Sequence, residues 1–329
     1  MTAADAARHP EPVRVAVLDD YQGVALAMGD FASLGDDVVV DAFRDHVSDR
    51  DELARLLAGH AVVVAMRERT AIDAELLDRL PDLRLLVTTG MSNAVIDLDA
   101  AARNGVTVCG TGGILTPTSE HTWGLILALL RHIPADDAAV RAGGWQTRLG
   151  DDLAGRRLGL VGLGRLGALV ARVGLAFGMD VVAWSQNLTP ERCAEVGVGH
   201  VSADELFATA DVVSVHVVLS ERTRGVIGAP QLARMKSSAV LVNTSRGPIV
   251  DEEALVGAVR SGSIAGAALD VFADEPLPGD HPLRSLPNTV LTPHTGYVTR
   301  GCYEIFFREI VEDIAAWRAG TPVRVVTAG

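Results

Sequence analysis

Residues 157–178 read RLGLVGLGRLGALVARVGLAFG, and no other stretch restricts the fold of this chain so tightly. An apolar run of strand length leads into Gly162, Gly164 and Gly167, spaced G-x-G-x-x-G, and then into a helix-period run of Leu, Val and Ala. The spacing has a physical reading. The first glycine permits a tight turn, the second lets a pyrophosphate approach the backbone, and the third lets the helix pack closely on the strand. Free N–H groups at the helix start then receive the phosphate charge. Alone the motif is weak, because 33 of the 329 residues are glycine and such spacings arise by accident. Its place between a strand and a helix is what points to a dinucleotide-binding unit built on a parallel sheet.

The rest of the chain repeats the strand and helix alternation. VRVAVL (13–18), VVVDAF (38–43), AVVVAM (61–66), LRLLVT (83–88) and VTVC (106–109) read as fully buried strands. Between them, Ser48 with Asp51 forms a capping-box pattern ahead of Leu53, Leu56 and Leu57, closed by Gly59. A second helix is expected over 97–103, with Gly105 behind it. TGGILTP (111–117) reads as a turn after which Thr116 caps a helix with Pro117 at its first position, running to about His132. A polar stretch then leads to a second series of strands near 157–161, 180–184, 211–216, 239–243, 265–270 and 289–292. The chain ends on an amphipathic helix, about 299–319, with Tyr303, Phe306, Phe307, Ile310, Ile314 and Trp317 on one face and Gly320 as its stop. The economical architecture is α/β: two doubly wound parallel-sheet domains, the second inserted in the first. Residues 1–115 with 297–329 make the first, and 116–296 the Rossmann dinucleotide-binding domain.

Charge and cysteines narrow the function. A formal charge of −13 gives no electrostatic reason to approach nucleic acid or an anionic membrane. An anionic substrate must therefore be held by local cations. Cys109, Cys193 and Cys302 lie far apart, which reads as reduced thiols. The longest apolar run, 123–130, falls short of the roughly 20 residues a bilayer requires. The N-terminal MTAADAARHPEP has no basic region followed by an apolar core, so it reads as a loose tail and not a signal peptide, and a cytoplasmic protein is expected. No His/Cys cluster is spaced to bind a metal.

Three stretches fall at the expected C-terminal ends of later strands, where open α/β sheets bind ligands: LVNTSRGPIVDEEAL (241–255), GAALDVFADEPL (266–277) and LTPHTG (291–296). They offer Arg246, Asp270, Glu275 and His294. Each alone has an ordinary reading, as a surface cation, a loop cap, a solvated acid and a packed histidine. Together, a cation, acids and an imidazole facing a dinucleotide crevice make a toolkit for hydride transfer.

The order GxGxxG, N-x-x-RG-x-x-V-D, ALDVF-x-x-EP, TPH-x-G resembles the D-isomer-specific 2-hydroxyacid dehydrogenase family, which includes phosphoglycerate, glycerate, lactate and hydroxypyruvate enzymes. The similarity covers almost the whole chain, including SEHTWGLILALLR (119–131) and the 145–155 lead-in. The resemblance implies a flavodoxin-like substrate domain beside the Rossmann domain, and an NAD(P)-dependent oxidoreductase moving hydride between nicotinamide and C2 of a D-2-hydroxy or 2-keto acid. Arg246 would bind the substrate carboxylate and carbonyl, His294 would be the acid/base, and Glu275 would hydrogen-bond the other ring nitrogen. Arg165 and Leu166 would lie over the pyrophosphate and Asp270 near the nicotinamide. Gly162, Gly164, Gly167, Ser185, Val217, Thr244, Ser245, His294 and Gly296 would complete the cofactor contacts. Met91 and Ser92, in TTGMSNAVIDL, would meet the substrate carboxylate from the other domain. A homodimer is implied, with helix 118–132 either an interface element or an interdomain crossover.

Some positions depart from the family pattern. Ala94 and Val95 stand where an Asp-Asn pair is common, and VHVVL (215–219) lacks a usual proline; its His216 reads as structural. Arg67 and Arg69, in AMRERT, either meet a second anionic group or are solvated loop cations. In VVAWSQNLT (181–189), Ser185 takes the place of the acid that grips an NAD ribose. A carboxylate would repel a 2′-phosphate and a serine does not, yet Gln186 and Asn187 are neutral and Arg192 is the nearest cation. The expectation is use of either cofactor, with a slight lean to NADP. The chain ends about ten residues after its last helix, so no appended regulatory domain is expected. Two other functions fit the fold: a dinucleotide-sensing, corepressor-like binding protein, and a formate dehydrogenase-like enzyme, although that lineage pairs its histidine with glutamine. The substrate stays open among glyoxylate, hydroxypyruvate, phosphohydroxypyruvate and longer 2-keto acids.

Overall fold

Runs of Val, Leu and Ala too short to make helices pair instead as strands, and every ladder they form is parallel. The computed structural model describes residues 12–327, and the tail read at the N-terminus otherwise lies outside the described residues. The chain divides into two units, one made of residues up to Ile114 with those from Thr299 onward, the other Leu115–Val298.

In the first unit, β1 (Val13–Val17), β2 (Val38–Ala42), β3 (Val62–Ala65), β4 (Leu85–Thr88) and β5 (Thr107–Gly110) stand in the order β2-β1-β3-β4-β5. This is the flavodoxin-like doubly wound order. Helices Arg50–Leu57 and Leu98–Arg103 start at Asp49 and Asp97, whose carboxylates accept the amides of Glu52 and Ala100. The first cap is therefore Asp49 and not Ser48: two good capping residues are adjacent, and the one whose oxygen reaches the third amide of the turn wins. Helix Arg300–Arg318 buries Tyr303, Phe306, Phe307, Ile310 and Ile314. The segment after it returns to the sheet, where Val325 bridges Cys109 antiparallel. Arg324 fixes that return, with Nε donating to Asp313 Oδ1 at 3.0 Å.

In the second unit the strands are β6 (Arg157–Val161), β7 (Asp180–Trp184), β8 (Gly199–His200), β9 (Val212–Val215), β10 (Val240–Asn243), β11 (Gly266–Leu269) and β12 (Thr289–Leu291), in the order β12-β11-β10-β9-β6-β7-β8. The sheet is buried on both faces, because successive residues serve opposite clusters: Val240 and Val242 pack on one side and Leu241 on the other. β8, a two-residue edge strand, carries too little apolar pattern to be read from sequence. Helix Thr116–Leu130 starts after Leu115, so Thr116 and Pro117 lie inside its first turn and Thr116 is not its cap. Its Trp123, Ile126 and Leu129 are buried in the same cluster as Leu158 and Val170, and Trp123 Nε1 donates to the carbonyl of Val170 at 3.3 Å. These apolar side chains pack within the unit. The helix ends at Leu130, His132 turns the chain in a left-handed conformation (φ 54°), and a separate helix Ile133–Arg141 follows with no buried residue. No helix among the described residues is long and apolar enough to cross a membrane.

Candidate active site and dinucleotide cavity

The glycine-rich turn joins β6 to helix Arg165–Ala176, and its three glycines are there for different reasons. Gly162 has φ +106°, and a Cβ on it would lie 2.7 Å from the carbonyl oxygen of His216. A Cβ on Gly167 would lie 2.3 Å from the carbonyl oxygen of Gly162. The chain's own packing demands both. Gly164, the residue preceding the helix, has nothing within 4 Å of where its Cβ would be. Nothing in the protein excludes a β-carbon there, so the open space over the helix N-terminus is room for something else. A dinucleotide pyrophosphate fits it: an anion, against free N–H groups at the positive end of a helix.

A cavity of about 370 Å³ opens beside this turn, lined by Gly162 and Gly164, by Trp184 and Ser185 at the end of β7, and by His216, Val217 and Arg222 after β9. His216 is buried, with Nε2 2.9 Å from Ser214 Oγ. Burial pushes the ring down to about 4, so it is neutral at pH 7. Its Nδ1 is buried without a partner among the described residues, a polar atom left over at the cavity. Val217 is engaged through its carbonyl, which accepts from Ser245 Oγ at 2.5 Å. Arg165 is exposed and Leu166 half-buried on the first turn of the helix.

The other half of the site is built on the ends of β10, β11 and β12. His294 adopts φ 54°, and its Nδ1 lies 2.6 Å from Glu275 Oε2. Glu275 is itself held, Oε1 accepting the amide of Phe272 at 2.9 Å. The imidazole is therefore oriented by a carboxylate that is oriented by backbone, and its Nε2 is left for other chemistry. Arg246 follows β10, half-buried, with Nη1 donating to the carbonyl of Ser245 at 2.7 Å, while Asn243 Nδ2 donates to the carbonyl of Arg246 at 2.9 Å. Thr244 is buried, with its hydroxyl 2.8 Å from that of Thr122.

Asp270 organises the loop that carries His294. Its Oδ1 accepts from Thr292 Oγ1 (2.6 Å) and the amide of Thr295 (2.8 Å), and lies 3.1 Å from His121 Nε2; Oδ2 accepts the amide of Gly296 at 2.8 Å. Burial pushes this carboxyl up, but the hydrogen bonds from His121, Thr292 and Thr295 outweigh it and hold the group below the ordinary aspartate value. His121, Thr292 and Thr295 lie inside SEHTWGLILALLR and LTPHTG, but nothing in those stretches marks them as partners of Asp270. His121 and Asp270 stand 149 residues apart and meet only through the fold.

The remaining candidates fall elsewhere. Met91 and Ser92 are exposed just beyond β4 in the first unit. Arg67 and Arg69, in the same unit, are anchored: the Arg67 amide donates to Thr89 Oγ1 at 2.9 Å, and Arg69 Nη1 donates to the carbonyl of Asp19 at 2.7 Å with its guanidinium over the Tyr21 ring. Arg192, the cation nearest Ser185 in sequence, pairs with Glu195 at 2.9 Å. Arg222 is the cation that lines the cavity, and sequence reading overlooked it.

Comparison with known proteins locates this arrangement. Residues 123–296 match the family model described as D-isomer specific 2-hydroxyacid dehydrogenase, NAD binding domain. A glyoxylate reductase of Aeropyrum pernix is 43% identical over 239 residues, 70% of this chain and 71% of that protein. A D-3-phosphoglycerate dehydrogenase of Archaeoglobus fulgidus is 38% identical over 278 residues, 84% of this chain but only 53% of the relative, so the match spans about half of that protein's length. Among solved structures, a phosphoglycerate oxidoreductase from Vibrio cholerae superposes with a TM-score of 0.89 at 37% identity, covering 94% of this chain and 99% of that one.

Proposed function

This chain belongs to the D-isomer specific 2-hydroxyacid dehydrogenase family, and from that premise we propose that it interconverts a small 2-keto acid and its D-2-hydroxy acid with a nicotinamide dinucleotide. The observation that carries the reading is the His294–Glu275 pair, 2.6 Å apart, on the same parallel sheet whose β6 leads into the glycine turn open at Gly164. The turn from Gly162 to Gly167, with Arg165 and Leu166, would hold the pyrophosphate. Ser185 and Val217 would hold the adenosine end, and Thr244, Ser245 and Gly296 the rest of the cofactor. The nicotinamide, when bound, supplies hydride to C2 or takes it away.

The chain's residues do the rest. Nδ1 of His294 is committed to Glu275, so Nε2 is the atom that gives a proton to the carbonyl oxygen in reduction and takes it from the alcohol in oxidation. Glu275 fixes the ring's tautomer and sits against the positive charge that the ring carries when protonated. Arg246 holds the substrate carboxylate and carbonyl oxygen in a planar fork, which suits a substrate that a chain of net charge −13 would otherwise repel. Asp270 positions the loop bearing His294.

The test is a 2-keto acid panel with NADH and NADPH, run beside His294→Ala and Arg246→Lys. Turnover should disappear in the first, with dinucleotide affinity kept in a fluorescence titration. In the second, kcat/KM should fall by between about tenfold and a hundredfold, since one ammonium replaces a bidentate fork. Turnover surviving in His294→Ala would show the base is misassigned, and no wild-type activity on the panel would favour a dinucleotide sensor. A homodimer is part of the same proposal. The apolar side chains that support it lie in segment 133–149, where Trp145 is 74% and Leu149 95% exposed. Light scattering on the full chain tests it.

A further inference from the structure

We infer that the cavity beside Gly164 contains a 2′-phosphate subsite whose cation is Arg222, so that the preferred dinucleotide is NADP(H). The inference rests on the proposal that this cavity holds the cofactor's adenosine end. In this fold the residue closing the second strand meets the ribose 2′ position, with an acid there favouring NAD and a nearby arginine accommodating a 2′-phosphate. Here that residue is Ser185, and no aspartate or glutamate among the described residues lines the cavity. Arg222 is the lining residue that carries a formal charge.

Arg222 does not belong to the segment where such a cation is usually sought. It comes from the loop after β9, 35 residues beyond Asn187, and reaches back to the end of β7. Its Nη2 donates to Asn187 Oδ1 at 3.3 Å, and Gln186 Nε2 donates to the Arg222 carbonyl at 3.0 Å. Two hydrogen bonds in opposite directions thus tie the loop to the Ser-Gln-Asn segment. The loop has its own internal brace, with Thr223 Oγ1 donating to the carbonyl of Val218 at 2.6 Å and accepting the amide of Ser220 at 2.8 Å. A guanidinium on a braced loop is a better phosphate ligand than one on a free tether, because less freedom is lost on binding.

The donor inventory fits a phosphate. Arg222 makes no ion pair among the described residues, and a guanidinium has five N–H donors. Asn187 spends its carbonyl oxygen on Arg222, which leaves its amide N–H groups as donors. The Ser185 hydroxyl has no partner among the described residues and adds another. Arg192 is worse placed. Its guanidinium already faces Glu195, and Nε donates to the carbonyl of Leu163 at 3.4 Å. In a chain of net charge −13 a phosphate dianion is not drawn by the overall field, so a local unpaired cation is what admits it.

The experiment uses the full chain, with 2′,5′-ADP and 5′-AMP as probes that differ in the 2′-phosphate and lack the nicotinamide half. Trp184 lines the cavity and reports binding by fluorescence, with calorimetry as the second readout. The wild type should prefer 2′,5′-ADP by at least about tenfold, as a charge-assisted contact gives. Arg222→Gln should abolish that preference while 5′-AMP affinity stays within about twofold, Arg222→Lys should keep part of it, and Arg192→Gln should leave it intact. The NADPH/NADH ratio of kcat/KM should follow the same order. A wild type without preference overturns the inference, as does a preference that survives Arg222→Gln or is lost instead in Arg192→Gln. Equal weakening of both probes in Arg222→Gln also overturns it, reducing Arg222 to a loop tie. If 2′,5′-ADP and 5′-AMP bind alike and NADPH and NADH are used alike, the subsite fails and the proposed function stands. If no adenine nucleotide binds at all, both fail together.

Discussion

His216 makes the second unit acid-sensitive in a way that can be isolated. An ordinary histidine titrates near 6.5, and burial pushes this one down to about 4. A base whose folded value lies below its unfolded value takes up a proton more readily in the unfolded chain. Stability is therefore complete above about 6.5 and drains as pH falls through the window down to about 4. The full linkage is about 3 kcal/mol, and the part lost between pH 7 and pH 5 is roughly 2 kcal/mol. Glutamine at this position keeps a polar neighbour for Ser214 and cannot titrate. Three of the four tryptophans, Trp123, Trp145 and Trp184, lie in this unit, so urea unfolding followed by tryptophan fluorescence reports mainly on it. Other groups contribute to both proteins alike, so the quantity that matters is the difference in slope. Wild type should lose roughly 2 kcal/mol more than His216→Gln between pH 7 and pH 5. Parallel pH profiles would refute the claim that the ring is held neutral by burial.

Two further perturbations test separate parts of the structure. Gly167→Ala forces a Cβ to within 2.3 Å of the Gly162 carbonyl and should cost about 1–3 kcal/mol in denaturant unfolding, whereas the Cβ of Gly164→Val has open space about it. The latter should leave Tm nearly unchanged and weaken dinucleotide binding at least about tenfold; a valine that unfolds the protein, or binds normally, contradicts the cradle. In the first unit, burial pushes the Asp313 carboxyl up to about 7 against the pull of Arg324, with Glu309 and Glu312 raising it further. An acid that is harder to ionise when folded gives stability that is greatest below about 4 and is lost as pH rises through 7, so Asp313→Asn should flatten that part of a Tm-versus-pH curve. An unchanged slope would mean that Asp313 ionises freely in the fold.

What could be read from sequence follows from how far each signal reaches. Parallel strands buried on both faces are continuous apolar runs, so β1 to β7 and β9 to β12 lie within a residue or two of where those runs predict. The errors are of two kinds. One is local ambiguity, as where Ser48 and Asp49 compete to cap the same helix. The other is tertiary: no local pattern announces the left-handed turn at His132, or that Val325 will bridge Cys109. The site divides in the same way. Arg246, Glu275 and His294 stand out because each sits in a short motif at a strand end, and the 2.6 Å contact between the last two turns a motif into geometry. His121 beside Asp270 and Arg222 beside Asn187 belong to no such motif.

Sheet order explains the second of these pairs. The chain passes from β6 to β7 on one side and later places β9 on the other, giving β9-β6-β7. The loops leaving β7 and β9 therefore flank the glycine turn that leaves β6, and this reversal of direction is where such sheets open a crevice. Proximity in sequence favours Arg192, on the helix Pro190–Val196 that follows β7, as partner to Ser185. Proximity across the sheet favours the β9 loop, and it is there that an arginine without a carboxylate partner among the described residues lines the cavity. A neutral strand end at Ser185 thus does not mean that the chain has no clamp for a 2′-phosphate. In a doubly wound sheet the clamp can come from the strand on the far side of the turn, and the contrast between Arg222→Gln and Arg192→Gln separates the two origins.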